Sequence, residues 1–502
     1  PVVSSSRFYP YKDSLVHVVG YVGAASQKDI ERKDVIKENL VPGLKVGKSG
    51  IEYAKETQLI GRYGIKRYEV NSSGKRISQI DYIKETQGEK IKLTIDLEVQ
   101  QLAQELLKGK AGSISAMDIY TGEIIAMASS PTYDPNKFTH GIGHKDWGEI
   151  RDDPLKPLVN KSIAGLYSPG STFKPLVALA ALEFGTIDPE RPILCKGHKH
   201  PYELYGVKYH CWKKKGHGYM RLRNAIKQSC DIYFYEAARL LGVDRLNETA
   251  MKFGLGKQVL GNHFPNEKKG VVPSTKWKKE QIGQNWYLGE TFITGIGQGY
   301  FQTNPLQLCL MTAQLANGGY KIFPRITTSK NQESAEEIRK KMLQAKDEIK
   351  ERKDTLFNVT GDLLKKKSKY KSLVRNHENI KFVLDAMFRS TNEVYGTSYG
   401  SRIDDPKYQF AGKTGTSQVK RITEEERELD LETYQIPYKE RDHAWFVAFG
   451  PYKEPRYALS VLVEHGGSGS KAAAPIAKKL FKLIIDRHEL REKTTKQKGV
   501  KV

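Results

Sequence analysis

The 502-residue chain predicts an α+β fold, and three patterns carry that prediction. Alanine- and leucine-rich helical stretches occupy the middle of the chain. Strand-like runs follow one another late in the sequence. An amphipathic stretch, SKAAAPIAKKLFKLIIDRHEL, closes it. Strands grouped together, not alternating one-for-one with helices, argue for a segregated α+β domain spanning roughly 110–492.

Residues 1–110 mix short β-like runs, HVVGYVG and KRYEV, with glycine turns and charged stretches, and are expected to form an irregular, β-rich pedestal. LTIDLEVQQLAQELLKG reads as a short strand entering a helix, with Asp96 as N-cap and Val99, Leu102 and Leu106 at helical spacing. GSISAMDIYTGEIIAMASSP holds two apolar runs around a Thr-Gly turn, a hairpin signature. Residues 171–184, STFKPLVALAALEF, read as a helix closed by Gly185, with Pro175 tolerated in the first turns. A second Leu/Ala helix is expected at 305–317. Residues 330–372 are dense in Lys, Glu and Asp and are expected to form a solvated helical excursion. QFAGKTGTSQV, AWFVAFGPY and YALSVLVEHGG read as strands, the last two close enough to pair antiparallel. Residues 493–502 make a basic tail, and no internal repeats are visible.

Hydrophobic residues make up 38% and charged residues 28%, which suits a folded protein with a wet surface. The net charge of +24 fits an acidic partner such as nucleic acid, anionic lipid or anionic wall polymer. A solvated lysine-rich surface explains that charge equally well. No apolar run approaches the ~20 residues of a membrane-crossing helix, and the polar start PVVSSSRFYPY carries no signal peptide.

The chemistry concentrates in three short motifs. In YSPGSTFKP, Ser171 and Lys174 stand three apart at a helix start and share a face. A serine hydroxyl needs a neighbouring base to become a nucleophile, and a lysine of lowered pKa can be that base. The helix N-terminus favours an oxyanion formed beside it. Alone, such a serine is more often a helix cap. QSCDIYFYE then supplies Ser229 and Asp231, and AGKTGTSQV supplies Lys413, Thr414, Gly415 and Thr416 on an edge-like strand. Penicillin-binding proteins and serine β-lactamases carry S-x-x-K, S-D-N and K-T-G in this same order.

Cys195, Cys211, His217 and Cys230 form the pattern C-x15-C-x5-H-x12-C. Three sulfurs and one imidazole suit a tetrahedral structural zinc. A disulfide with one thiol left over, or unpaired buried cysteines, are the alternatives, and His198 and His200 compete with His217 as ligands. Cys309, within PLQLCLMTAQLA, reads as a core residue.

On these motifs, and on RFYPY, HVVGYVG, LTIDLEVQ, SSPTYDPNKF, NKSIAGLYSPGSTFKP, GHGYMRLRNAIKQSCDIYFYE, GIGQGYFQTNPLQL and FAGKTGTSQV, the chain resembles the class B penicillin-binding proteins, most closely their elongation type. The resemblance implies a penicillin-binding-protein/β-lactamase-like domain, an antiparallel sheet flanked by helices, on a non-catalytic pedestal. It implies a peptidoglycan D,D-transpeptidase that cross-links stem peptides ending in D-Ala-D-Ala and is acylated by β-lactams. Ser171 would be the nucleophile and Lys174 its base. Ser229 and Lys413 would move a proton toward the leaving amine, and Asp231 would orient Lys174. Thr414 and Thr416 would hold the substrate carboxylate, with Gly415 between them. The backbone N–H groups of Ser171 and Thr416 would form the oxyanion hole. No cofactor is needed for catalysis. A structural zinc on Cys195, Cys211, His217 and Cys230 is expected, since His217 lies in the family's GHG.

The family's transmembrane anchor and the arginine-glycine motif after it are not among these residues. The chain is therefore expected to be a periplasmic piece of an inner-membrane protein. Expected partners are a scaffold protein of the MreC type and a SEDS glycosyltransferase (RodA), with no nucleic acid. The middle motif departs from the S-x-N of many relatives, a variation the elongation type tolerates. A serine β-lactamase, a β-lactam-sensing domain and a silent scaffold are the competing readings. The long pedestal and the intact Ser171, Lys174, Ser229 and Lys413 count against them.

Overall fold

The computed structural model describes residues 6–198, 200–261, 264–328, 333–344, 370–420 and 431–496, together with Glu426 and Leu429. The chain divides into two compact units. One draws on the chain up to Leu93, on Thr132–Leu158 and on Leu260–Asn266. The other draws on Thr94–Pro131, Val159–Val259 and the chain from Glu267 onward. The boundary thus falls at 93, ahead of the expected 110. The helix α1 (Leu97–Leu106) buries Val99 and Ala103 in the core of the second unit. Nothing in the composition announces that 132–158 returns to the first unit.

The first unit is less β-rich than its sequence suggests. Strands β1 (Val22–Ala24) and β2 (Lys45–Gly47) pair antiparallel, and β3 (Ile65–Val70) and β4 (Arg76–Ile83) form a bulged hairpin. Five short helices, from Val16–Val19 to Glu56–Leu59, surround β1 and β2. HVVGYVG is split between a helical turn and β1. Gly20 makes the break at φ +82°, and a Cβ there would lie 1.9 Å from the Ser49 carbonyl oxygen. β-Branched residues favour strands only weakly, so the turn at Gly20 overrides them.

The second unit is built on a five-stranded antiparallel sheet. Strands β5 (Gly112–Asp118) and β6 (Ile124–Ser130) form the expected hairpin. Four three-residue strands follow: β7 (Ile193–Cys195), β8 (Tyr202–Leu204), β9 (Val207–Tyr209) and β10 (Gly218–Met220). Then come β11 (Ala411–Ser417), β12 (His443–Gly450) and β13 (Tyr457–Val463). The large sheet runs β11-β12-β13-β5-β6, so β11 is an edge strand, with Gly415 opposite Trp445 and Thr416 opposite Ala444.

Helices cover both faces of this sheet. Alternate residues of the strands, among them Ile114, Ala116, Phe446, Ala448, Leu459 and Val461, pack with α1 and the closing helix α6 (Ala474–Asp486). The opposite face receives α4 (Pro305–Ala316), in which every residue is buried and Cys309 is a core residue, as expected. α2 (Lys174–Glu183), α3 (Asp231–Leu241) and α5 (His377–Asn392) complete the helical side. Asp96 caps α1 by accepting from the Val99 N–H. The stretch before it is extended chain, not a strand, with the Thr94 N–H bonded to the Ile326 carbonyl. Of the expected charged excursion, 335–344 is helical, and 345–369 lies outside the described residues, as does the end of the basic tail from 497.

Candidate active site

Ser171 does not sit in an α-helix. Residues Gly170–Phe173 form a 3-10 turn, and α2 begins only at Lys174. Side chains three apart eclipse in a 3-10 turn, so Ser171 and Lys174 face the same way more directly than α-helical spacing would arrange. Gly170 holds φ +54°, and a Cβ there would lie 2.4 Å from the Thr416 carbonyl oxygen. The turn that carries Ser171 is thus pressed against β11, and only glycine permits the approach. The Gly170 N–H donates to the Gly297 carbonyl at 2.8 Å.

Lys174 is sealed from solvent. Its Nζ donates to the Ser229 carbonyl at 2.9 Å, to Ser229 Oγ at 3.3 Å and to Asp231 Oδ1 at 2.7 Å. Ser229 offers both acceptors from a left-handed backbone, φ +57°. That conformation is costly for a residue with a Cβ and is tolerated where the surroundings impose it. Asp231 opens α3 and is buried. Burial raises its carboxyl pKa, and the charge of Lys174 opposes that rise. Its second oxygen accepts from the Trp212 backbone N–H at 2.9 Å, while Trp212 Nε1 donates to the Ser229 carbonyl at 3.0 Å.

From the edge strand, Lys413 reaches the same region fully buried, its Nζ donating to the Thr414 carbonyl at 3.1 Å. Burial, and then the neighbouring charge of Lys174, push its pKa well below the ordinary lysine value. Thr416 is exposed, whereas Thr414 is buried with its hydroxyl bonded to Thr397 Oγ1 at 2.8 Å. Gly415 lies against the Ser171 turn, where a Cβ would meet Thr172 Cγ2 at 2.7 Å. Gln298 ties the strand down by donating from Nε2 to the Thr416 carbonyl at 2.9 Å. Two lysines and one carboxylate therefore share an enclosed space, an arrangement suited to passing a proton between neutral and charged amines.

Next to this centre lie the four candidate metal ligands. One ligand atom from each of Cys195, Cys211, His217 and Cys230 falls within 4.8 Å of the others, and all three cysteines are free thiols. His217 Nδ1 is 3.5 Å from the sulfurs of both Cys195 and Cys211. Neither His198 nor His200 joins the group. A tetrahedral zinc with Zn–S bonds of ~2.3 Å separates its sulfurs by roughly 3.8 Å, so the donor set fits that ion. Hydrogen bonds from Cys211 and Cys230 draw the Cys195 thiol down toward thiolate. The pairing of β7 with β10 sets Gly218 opposite Cys195 and so brings His217 close.

All twelve residues singled out in the sequence fall into these two neighbouring groups. Sequence reasoning missed Trp212, Gly297, Gln298 and Thr397. Trp212 follows a candidate ligand directly, which was its only signal. Gln298 and Thr397 act through single hydrogen bonds to β11, which no local pattern encodes.

A serine in a tight 3-10 turn, a lysine at the start of the helix that follows, a second serine with an acidic neighbour and a lysine on an edge strand define a serine acyltransferase of the penicillin-recognising class. A family model described as the penicillin-binding protein transpeptidase domain matches residues 112–482, and one described as the penicillin-binding protein dimerisation domain matches 1–93. The chain is 34% identical to the peptidoglycan D,D-transpeptidase MrdA of Salmonella typhimurium strain SL1344, over 96% of this chain and 73% of that protein. It is likewise 34% identical to MrdA of Escherichia coli strain K12, over 97% and 72%. Among solved structures, the Pseudomonas aeruginosa penicillin-binding protein PBP2 in complex with WCK 5153 matches with a TM-score of 0.76 and 34% identity, over 96% of this chain and 90% of that one. The complex between PBP2 and MreC from Helicobacter pylori matches with a TM-score of 0.78 and 30% identity, over 96% and 79%. This chain belongs to the penicillin-binding protein family, in its elongation-type branch of peptidoglycan D,D-transpeptidases.

Proposed function

We propose that this chain cross-links peptidoglycan through an acyl-enzyme on Ser171, using the two buried lysines as its proton carriers. The observation that carries this reading is the bonding of Lys174 to Ser229 and Asp231 beside a second lysine, Lys413, held below its ordinary pKa.

Burial favours the protonated form of Asp231. To accept the serine proton Lys174 must first pass one on, and its bonds to Asp231 and Ser229 provide the route. Ser171 Oγ then attacks the carbonyl carbon between the terminal D-alanines and gives its proton to Lys174. The N–H groups of Ser171 and Thr416 stabilise the oxyanion. The carbon–nitrogen bond breaks, and the leaving amine of D-alanine takes a proton through Ser229 with Lys413 behind it. The amine of a neighbouring stem peptide attacks the ester next, loses a proton to the same carriers and releases Ser171. Thr414 and Thr416 hold the donor's terminal carboxylate. β11 is the edge strand of the sheet, with Thr416 exposed, and from Thr416 onward it can receive an extended peptide as an added strand.

The test is intact mass over time with benzylpenicillin. A stable adduct of one penicillin is expected on the parent chain and none on Ser171→Ala. Rapid loss of the adduct with penicillin consumed would replace the transpeptidase with a β-lactamase.

Cys195, Cys211, His217 and Cys230 would hold a structural zinc, whose role is to fix the loop that carries Ser229 and Asp231. Elemental analysis should find about one zinc per chain and much less on Cys211→Ser. Among the described residues no helix is long and apolar enough to cross a membrane. By likeness to its relatives, the chain works at the periplasmic face of the inner membrane, with an MreC-type scaffold and a SEDS glycosyltransferase as partners. Surface-immobilised MreC should capture the chain, and an empty surface would remove that partner.

A further inference from the structure

Behind Thr414 stands a short row of hydroxyls. Thr414 Oγ1 donates to Thr397 Oγ1 at 2.8 Å with no ligand bound, and Thr397 Oγ1 is 3.2 Å from Ser390 Oγ, where either hydroxyl can donate. The three come from different places. Thr414 lies on β11, Thr397 on the loop after α5, and Ser390 on α5 itself. The loop is held firmly enough to present Thr397. Its N–H bonds to the Lys227 carbonyl, the Ser398 N–H bonds to the Ser390 carbonyl, and Ser398 Oγ pairs with Thr391 Oγ1. Gly396 allows the close return, since a Cβ there would lie 2.3 Å from the Ser390 carbonyl oxygen.

A hydroxyl has one proton to donate and two lone pairs. If Thr414 spends its proton on Thr397, it meets a substrate carboxylate with lone pairs, which repels. If Thr397 donates to Thr414, the Thr414 proton is free for the carboxylate. Ser390 supplies what that reversal needs, because it can donate to Thr397 in turn. A row of hydroxyls aligned in one direction polarises each member and strengthens the last bond to an anion.

We infer that Thr397 is a positioning residue for carboxylate recognition: the Ser390–Thr397–Thr414 row aligns toward the terminal carboxylate of the stem peptide or β-lactam and makes Thr414 its donor. The inference rests on the reading that Thr414 binds that carboxylate. It predicts selectivity by ligand charge. Loss of Thr397's hydroxyl should weaken ligands that carry the carboxylate and spare otherwise identical ligands in which it is masked.

The experiment measures acylation of the chain by benzylpenicillin and by its methyl ester, resolved into binding and acylation steps. The variants are Thr397→Val, Thr397→Ser and Thr414→Val, with melting temperature as the folding control. Thr397→Val should weaken binding of the free acid by roughly tenfold, on the scale of one hydrogen bond to a charged group, and leave the ester within about twofold. Thr397→Ser should restore the parent behaviour. Thr414→Val should show the same selectivity more strongly. Equal losses for acid and ester in Thr397→Val, with selectivity kept in Thr414→Val, would overturn the role of Thr397 alone. Absence of selectivity in Thr414→Val would overturn the underlying reading of Thr414 and the inference with it. If Thr397→Val does not fold, Thr397→Ser and Ser390→Ala carry the test: Ser390→Ala should show a weaker form of the same acid selectivity, and equal treatment of acid and ester there would overturn the row.

Discussion

Lys278 and Lys413 are both closed off from solvent, at 1% and 0% exposure, yet they live in opposite surroundings. Lys278 Nζ meets the Glu290 carboxylate at 2.5 Å, and the rings of Tyr287, Trp286 and Tyr300 lie within 4.6 to 5.9 Å of it. Its charge is matched by one anion and bathed by aromatic faces. Lys413 has, among the described residues, one hydrogen bond, to a carbonyl, and it shares its space with a second lysine. Burying a charge is tolerated when it is paired and costly when it is not. The first lysine is therefore a structural pin, and the second is held well below its ordinary pKa by burial and by the charge of Lys174, which makes its proton easier to give up. Burial alone does not mark a functional lysine. The match between its charge and its neighbours does.

The comparison breaks most sharply at Lys413. Lys413→Met should lower penicillin acylation by roughly 10²–10⁴, the usual share of a proton-transfer group, and should raise thermal stability near neutral pH. The sign follows from linkage. The folded chain holds the Lys413 proton less tightly than the unfolded chain does, so stability falls as pH drops from about 10.5 toward the lowered value. Removing the amine removes that loss, so the gap in melting temperature between variant and parent should widen from pH 10 to pH 7. A gap that stays flat would mean that Lys413 is charged in the fold.

Lys278→Met should do the reverse. Leaving Glu290 unpaired costs roughly 3 kcal/mol of stability, read by denaturant titration, while acylation stays within about twofold. A large loss of acylation with stability intact would turn the pin into part of the catalytic apparatus.

A smaller effect sharpens the picture around Lys174. Trp212→Phe removes the indole N–H that shares the Ser229 carbonyl with Lys174. One hydrogen bond of that kind supports a loss of roughly fivefold in acylation, with the proposed zinc content unchanged by elemental analysis. Loss of zinc along with activity would show that the indole matters to the metal loop and not to the lysine.

Much of this centre is legible in the chain because its parts are local. The S-x-x-K, S-x-D and K-T-G motifs each fix a residue pair through a turn, a helix start or a strand, and local chemistry sets those. The antiparallel pairing of β12 with β13 was legible for the same reason: alternation and a short connection decide it. HVVGYVG misled because valine's strand preference yields to a glycine that the Ser49 carbonyl requires. The split of the first unit across Thr132–Leu158 left no trace, since membership in a unit is a matter of long-range contact.

The residues alone marked the three motifs with their serines and lysines, most helical and strand elements of the second unit, and the three cysteines of the Cys/His group. Only the tertiary structure decided that Lys174 bonds Ser229 and Asp231, that His217 and not His198 completes the cluster, and that Trp212, Gln298 and Thr397 stand behind the residues that act. The reason is physical. Residue type and spacing fix what a side chain can do within a turn or two. The charge, burial and hydrogen-bond partners that set its reactivity come from segments up to hundreds of residues away, brought together only when the sheet closes against its helices.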